Sequence, residues 1–106
     1  MVRTISISEL HDIHKKIGTN EMILDVRRPE EFSAGHVPGS KNISHESVLL
    51  HANELGKYKN LYLYCHSGAR VQRACWELEH AGLKNLSAVV EGGMPDWASA
   101  GYPVEK

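Results

Sequence analysis

Short apolar runs of strand length alternate along this chain with segments whose apolar residues recur at helical spacing. Apolar residues dominate residues 22–26, 61–64 and 86–90, and residues 3–5 form a shorter alternating run. Strands that are apolar on both faces are typical of parallel sheets covered on both sides, and parallel strands need crossover connections, usually helices. The alternation therefore predicts an α/β domain with a mostly parallel sheet and helices on both faces.

Local signals place helices between these strands. Ser6 and Glu9 form a capping box ahead of an apolar series that includes Leu10, and Gly18 is expected to end this first helix in the left-handed conformation. Three further helices are predicted: residues 29–34, which begin with proline; a short one around residues 48–50, capped by Ser44; and residues 70–81, ended by Gly82.

Length and charge limit the architecture and the partners. The chain has 106 residues, a common size for one domain, so residues 1–106 are expected to form a single domain. Its 12 basic and 13 acidic residues nearly balance and show no basic cluster, which argues against a nucleic-acid partner. Residues 1–16 lack the apolar core of a signal peptide or membrane span. We therefore expect a cytoplasmic protein without a membrane partner.

The cysteines and histidines do not form a metal pattern. Cys65 and Cys75 are the two cysteines, too few for a disulfide framework or a zinc site. Of the seven histidines, only His11 and His14 have helical ligand spacing, and no nearby side chains complete a coordination shell. We interpret them as solvated surface residues and expect no metal and no organic cofactor.

The chain leaves the strand at residues 61–64 and enters a short loop before a helix begins. That loop, residues 65–70, reads Cys65-His66-Ser67-Gly68-Ala69-Arg70. Backbone N–H groups in such a turn form a concave nest, and the helix start adds partial positive charge, so the loop favours an anion. Gly68 permits a backbone conformation that a side chain would obstruct, and Arg70 adds a permanent cation.

Cys65 and Cys75 receive different interpretations. A thiolate is the nucleophilic form of cysteine, and an anion-favouring loop stabilises it, which makes Cys65 a candidate nucleophile. The alternative is that Cys65 is a small buried residue ending a strand. Cys75 belongs to an apolar stripe with Val71, Ala74 and Leu78, so packing is preferred over a role as the disulfide partner of Cys65.

Cys65-x-x-Gly68-x-Arg70 resembles the active-site loop of rhodanese-homology domains. Two other segments resemble signatures of the same family, and together the three span nearly the whole chain in the expected order. The upstream segment contains Asp25-Val26-Arg27, Glu31-Phe32, Gly35-His36-Val37, Pro38-Gly39-Ser40 and Asn42-Ile43; the downstream segment contains Gly92-Gly93, Trp97 and Gly101-Tyr102-Pro103-Val104.

This resemblance implies a five-stranded parallel sheet and sulfur transfer through a persulfide on Cys65. Residues 66–70 (His66, Ser67, Gly68, Ala69 and Arg70) would bind the substrate, chiefly through backbone N–H groups. The implied partners are a small sulfur donor such as thiosulfate and an acceptor such as a thiol, a protein dithiol or cyanide, with the chain acting as a monomer or weak dimer. Some relatives that use thiosulfate well have two basic residues after the cysteine, whereas this chain has His66 and Ser67.

Two other functions stay open. Cysteine phosphatases and arsenate reductases have loops of the form Cys-x5-Arg, one residue longer than the Cys-x4-Arg of this chain. Non-catalytic rhodanese-like modules are docking or regulatory units, but they commonly lack the cysteine that is present here.

The remaining motif residues are interpreted as structural. Asp25 and Arg27 are expected to form an internal salt bridge, and His36 a structural hydrogen bond. Trp97 is interpreted as a packing anchor and Met94 as part of the pocket rim. The glycines of these motifs are interpreted as turn formers: Gly35, Gly39, Gly92 and Gly93.

Overall fold

The computed structural model describes residues 2–106, which form five strands and five α-helices. The strands are β1 (Arg3–Ile5), β2 (Glu21–Asp25), β3 (Lys41–Asn42), β4 (Asn60–Tyr64) and β5 (Leu86–Val89). The helices are α1 (Ile7–Lys16), α2 (Pro29–Ala34), α3 (Ala52–Leu55), α4 (Ala69–His80) and α5 (Met94–Ser99), and a 3₁₀ turn over Val48–His51 precedes α3. The strand order is β1-β5-β4-β2-β3 with every pairing parallel. The predicted α/β fold is confirmed.

The central strand β4 is buried on both faces, as the apolar run predicts. Leu61 and Leu63 point into a core that α3 and α4 cover, whereas Tyr62 and Tyr64 point into a second core covered by α1 and α5. All of these side chains are at most 6% exposed. Successive residues of a strand face opposite sides of the sheet, so a strand covered on both sides must be apolar throughout.

Two helix-end predictions are confirmed. The Ser6 hydroxyl accepts a hydrogen bond from the Glu9 N–H at 3.1 Å, and the Glu9 carboxylate accepts one from the Ser6 N–H at 2.9 Å. Gly82 has φ +101 and follows the end of α4. Both features depend only on residues within one helical turn of each other, so the local sequence is enough to predict them.

Two other predictions about helix ends are wrong. Helix α1 ends without a left-handed glycine, because Ile17 is extended and Gly18 instead donates its N–H to the Glu21 carboxylate at 3.1 Å. Ser44 does not cap the helix near residue 48, since its hydroxyl accepts from the Glu46 N–H in a turn. In both cases a nearby residue forms a hydrogen bond with the group that was expected to cap the helix.

The histidines of α1 are not solvated surface residues, contrary to the sequence interpretation. His11 is half-buried and stacks on Tyr102 with ring centroids 3.7 Å apart. His14 donates from Nε2 to the Pro38 carbonyl at 2.9 Å and packs against Trp97.

Over residues 2–106, no group of three or more His, Cys, Asp or Glu side chains is arranged to hold a metal ion. The helices of this same range are all too short or too polar to cross a membrane.

Candidate active site

Residues 65–70, the Cys65 loop, lie at the carboxyl end of the central strand β4. Its last two residues, Ala69 and Arg70, begin the 12-residue helix α4, whose N-cap position is Gly68. The carboxyl ends of neighbouring parallel strands meet at this edge of the sheet, where α/β proteins bind their ligands. The unpaired N–H groups of the first turn of α4 therefore border the cysteine.

The Cys65 side chain is fully buried beneath the loop backbone. Its exposed fraction is 0%, and its Sγ accepts a hydrogen bond from the Gly68 N–H at 3.1 Å. The side chain also belongs to the core cluster under α4, so it contributes to packing as well. A backbone donor aimed at sulfur favours negative charge on that atom, which is the property a nucleophilic cysteine requires.

Gly68 is required by its backbone conformation and by a close contact. Its φ is +102, and a Cβ at this position would fall 1.9 Å from the Val90 carbonyl oxygen. The loop is therefore pressed against the chain that leaves β5. No side chain fits at this point without moving backbone.

Helix α5 supports the loop from the other side. The Met94 N–H donates to the Cys65 carbonyl at 2.9 Å, and a Cβ on Gly93 would lie 2.1 Å from that oxygen. Gly93 is extended, with φ 177, so its interpretation as a turn former is wrong and its small size serves close approach. Trp97 anchors α5 as expected, since it is fully buried and donates from Nε1 to Pro103.

Arg70 is paired with Glu31, a partner that the sequence analysis did not assign to it. Its guanidinium donates to both carboxylate oxygens of Glu31, at 2.6 and 2.9 Å. The Arg70 hydrogen bonds lower the pKa of Glu31 to about 2. The sequence predicts a cation at the helix entrance, and the structure adds a carboxylate from α2 that holds it. The available signal was the position of Glu31 in the upstream motif.

The Glu31–Arg70 pair is expected to make stability depend on acid pH. The Glu31 pKa is depressed from 4.5 to about 2, so its contribution is present above pH 4.5 and is lost as pH falls toward 2. Because the Glu31 side chain is 30% exposed, we expect a loss of about 1–2 kcal/mol in unfolding free energy over this range. In urea titrations, Glu31→Gln should remove this acid-dependent part of the unfolding free energy. The control variant Glu30→Gln should retain it. Equal acid sensitivity in wild type and Glu31→Gln would contradict the assignment.

The remaining residues of the Cys65 loop are open to solvent. His66, Ser67 and Ala69 are exposed, and His66 borders a cleft of about 240 Å³. Met94 lines this cleft, in agreement with its predicted place at the pocket rim. The other lining residues are Arg27, Glu31, Ala34, Gly35, Pro95, Ala98 and Val104. A mainly apolar cleft therefore borders the Cys65 loop at His66.

The predicted salt bridge between Asp25 and Arg27 braces one wall of this cleft. Arg27 Nη2 lies 2.7 Å from Asp25 Oδ2 and also donates to the Gly35 carbonyl at 2.7 Å. Both side chains are almost fully buried. The ring Nδ1 of His36 donates to the Phe32 carbonyl at 2.8 Å, so its structural hydrogen bond is also confirmed.

Cys75 is a core residue, as the helical stripe predicts. Its side chain is 4% exposed in the cluster beneath α4, and burial raises the pKa of its thiol to about 12. Cys65 and Cys75 are both free thiols. A protonated, buried thiol is a poor nucleophile, which agrees with a packing role for Cys75.

Comparison with known proteins gives a consistent result. A family model described as "Rhodanese-like domain" matches residues 7–100. Thiosulfate sulfurtransferase 16, a chloroplastic protein of Arabidopsis thaliana, is 32% identical over 96% of this chain and 92% of its own length. A putative sulfur carrier protein of Bacillus subtilis, YrkF, is 38% identical over 83% of the chain, but the match spans only 48% of that protein.

A solved structure agrees with the fold over its full length. The rhodanese-related protein from Thermoplasma volcanium superposes with a TM-score of 0.82 and 32% identity, covering 97% of both chains. The two chains therefore share one fold over nearly their whole lengths. The likeness extends over the whole domain and is not limited to the cysteine loop.

Proposed function

This chain belongs to the rhodanese-like domain family, and from that premise we propose that it is a sulfurtransferase carrying sulfane sulfur as a persulfide on Cys65. The observation that carries the proposal is the Gly68 N–H directed at Cys65 Sγ at the start of α4. Relatives named as sulfurtransferases or a sulfur carrier support the same activity class.

The proposed first half-reaction uses a donor such as thiosulfate. The Cys65 thiolate attacks the outer sulfur, the sulfur–sulfur bond of thiosulfate breaks, and sulfite leaves with the bonding electron pair. Cys65 then carries one additional sulfur with a negative terminal atom. Backbone N–H groups of the Cys65 loop, preorganised by the contacts of Gly68 and Gly93, would hold that charge as an oxyanion hole holds oxygen.

In the second half-reaction an acceptor removes the terminal sulfur. A thiolate acceptor attacks that atom, the persulfide bond breaks, and the Cys65 thiolate is regenerated while the acceptor becomes a persulfide. Cyanide would yield thiocyanate in the same way. The reaction needs no metal or organic cofactor, because the transferred atom is itself the electrophile.

Residues 66–70 are proposed to bind the donor. His66 and Ser67 are exposed at the loop surface, where a donor would arrive, and Arg70 contributes positive charge that Glu31 partly balances. A small sulfur donor and a thiol or protein dithiol acceptor are the proposed partners, with the chain acting as a monomer or weak dimer. A cytoplasmic location is part of the proposal, since a reducing compartment keeps both cysteines as thiols.

Intact-mass measurement after thiosulfate treatment tests the proposal. We expect wild-type protein to gain the mass of one sulfur atom and to lose it on addition of cyanide, with thiocyanate appearing in solution. Cys65→Ser is the control and should gain nothing. No adduct from thiosulfate, polysulfide or mercaptopyruvate would favour a non-catalytic binding module.

The same protein samples test the phosphatase alternative. The loop from Cys65 to Arg70 is one residue shorter than a Cys-x5-Arg loop, and a phosphoryl group presents three equatorial oxygens where a persulfide presents one atom. We expect no hydrolysis of aryl phosphates by the wild type. Robust hydrolysis that disappears in Cys65→Ser would overturn the sulfurtransferase assignment.

A further inference from the structure

A cleft of about 760 Å³ lies at the end of the sheet opposite Cys65. Its floor is formed where β1, β4 and β5 begin, at Arg3, Asn60 and Leu86. Its walls are α3 and the segments that follow α3 and α4. Because parallel strands all run the same way, this end cannot contact the Cys65 loop, so the cleft is separate from the candidate active site.

The charged residues that line this cleft are all basic. They are Arg3, Lys57, Lys59 and Lys84, and no aspartate or glutamate is among the lining residues. Across residues 2–106, these four side chains form no ion pair. The chain as a whole has a net charge of −1, so the cleft concentrates positive charge on a protein that is otherwise acidic.

Glu79 lies beside Lys84 in the adjoining pocket, and two other acidic side chains near the cleft are hydrogen-bonded or paired with residues other than its four cations. Glu21 accepts hydrogen bonds from Asn60 Nδ2 at 2.7 Å and from the Tyr62 hydroxyl at 3.0 Å. Glu54 is paired with Lys41 outside the cleft. Glu21 attracts Lys59 and Glu54 attracts Lys57 through space without a direct ion pair, so these two lysines are only partly neutralised.

Stabilisation of helix ends accounts for only two of the four basic residues in the cleft. Lys57 and Lys84 follow the carboxyl ends of α3 and α4, where cations interact favourably with the helix dipole. Arg3 and Lys59 precede or begin strands and have no such role. The carbonyl groups at the end of α4 already accept N–H groups from Gly82 and other residues of the turn, which reduces their repulsion of an anion.

The walls of the cleft are held in place by hydrogen bonds. Asn85 Nδ2 donates to the carbonyls of Leu55 and Tyr58, at 3.1 and 2.9 Å. The Lys59 N–H donates to the Asn20 carbonyl at 2.8 Å. The backbone that carries the cations is therefore preorganised, which lowers the entropic cost of binding.

We propose that this basic cleft binds a small molecule that bears an oligophosphate group, either free or attached to a nucleoside. The volume lies within the range of small-molecule sites, about 300–1,000 Å³. Four separate cations match a ligand that carries several charges on a short chain, and Lys and Arg are the side chains that pair with phosphate. A single carboxylate or phosphate would leave most of these cations unused.

Titration of the whole protein with tripolyphosphate, followed by NMR of backbone amides at fixed ionic strength, tests the proposal. We expect shifts at residues 57–59 and 83–85, and a Kd raised at least 10-fold in Lys59→Glu and in Lys84→Glu. Lys106→Glu, the matched charge reversal at the opposite end of the molecule, should change Kd less than 2-fold. Sulfur transfer by Cys65 should continue in all three variants.

Parallel titrations with ATP and adenosine identify the source of the phosphate. Tighter binding of ATP than of tripolyphosphate, with shifts from adenosine alone, would support recognition of the nucleoside, and equal affinities would support the phosphate chain alone. Shifts confined to the Cys65 loop, or equal losses in Lys59→Glu and Lys106→Glu, would overturn the proposal. Binding of polyglutamate without binding of tripolyphosphate would overturn it in favour of an acidic protein partner.

Discussion

Replacement of Cys65 by serine is expected to lower kcat/KM for thiosulfate by about 10³-fold or more, the scale on which loss of a covalent nucleophile acts. The serine hydroxyl stays protonated near neutrality and cannot form a persulfide, although the Gly68 N–H remains beside it. The measurement is steady-state formation of thiocyanate from thiosulfate and cyanide. The variant should still fold, because serine is close in size to cysteine and its hydroxyl can accept the Gly68 N–H that Cys65 Sγ accepts.

Cys75→Ser is the matched control for this prediction. Its thiol is buried in the core beneath α4, so a hydroxyl there should cost about 1–2 kcal/mol of unfolding free energy. Activity measured well below the unfolding midpoint should stay within a few-fold of wild type, since Cys75 holds no transferred sulfur. Equal loss of activity in both folded variants would refute the division between a nucleophile and a packing residue.

Gly68→Ala is expected to lower the unfolding free energy by about 2–5 kcal/mol, through left-handed strain of about 1–2 kcal/mol and overpacking of about 1–3 kcal/mol. The overpacking arises because the new Cβ would fall 1.9 Å from the Val90 carbonyl oxygen, so the backbone of the loop or of the segment after β5 must move. Sulfur transfer should fall as well, since that shift displaces the N–H donor from Cys65 Sγ. Urea unfolding and thiocyanate formation measure the two effects.

Gly82→Ala distinguishes the cost of left-handed backbone strain from the cost of the steric contact with Val90. Gly82 has nearly the same φ, +101, but nothing lies within 4 Å of a Cβ built on it. Alanine there should cost only the strain of about 1–2 kcal/mol, with activity unchanged. Equal destabilisation by the two substitutions would show that the contact with Val90 relaxes freely and that Gly68 is needed for its conformation alone.

The strands and the place of the loop were predictable because their signals are short-range. Residues 61–64 are apolar because β4 is buried on both faces, and that pattern indicates a strand of a sheet that is covered on both sides. β3 was not predicted. It is two residues long, and Asn42 holds it by side-chain bonds to the carbonyls of Asp25 and Arg27. A strand of two residues is too short to show an alternation of apolar and polar side chains, so the sequence pattern could not predict it.

Some features of the candidate site were likewise predictable from the sequence, and others were not. The residue types and spacing of the Cys65 loop were evident from the sequence, including the glycine and the helix that follows. The pairing of Arg70 with Glu31, 39 residues away, was not, because an arginine near a helix start is compatible with many partners. The role of Gly93 was also hidden, since a glycine pair indicates a turn as readily as a close approach to the Cys65 carbonyl.

The sequence by itself determined the α/β class, the order of four strands and of the helices between them, and the place of Cys65 before a helix. These depend on burial patterns and caps that operate within a few residues. Tertiary structure alone decided that α5 and the chain after β5 press against the Cys65 loop, that Glu31 holds Arg70, and that four distant cations meet in the basic cleft. Such contacts join residues far apart in the chain, and their geometry exists only after the sheet has brought its strand ends together.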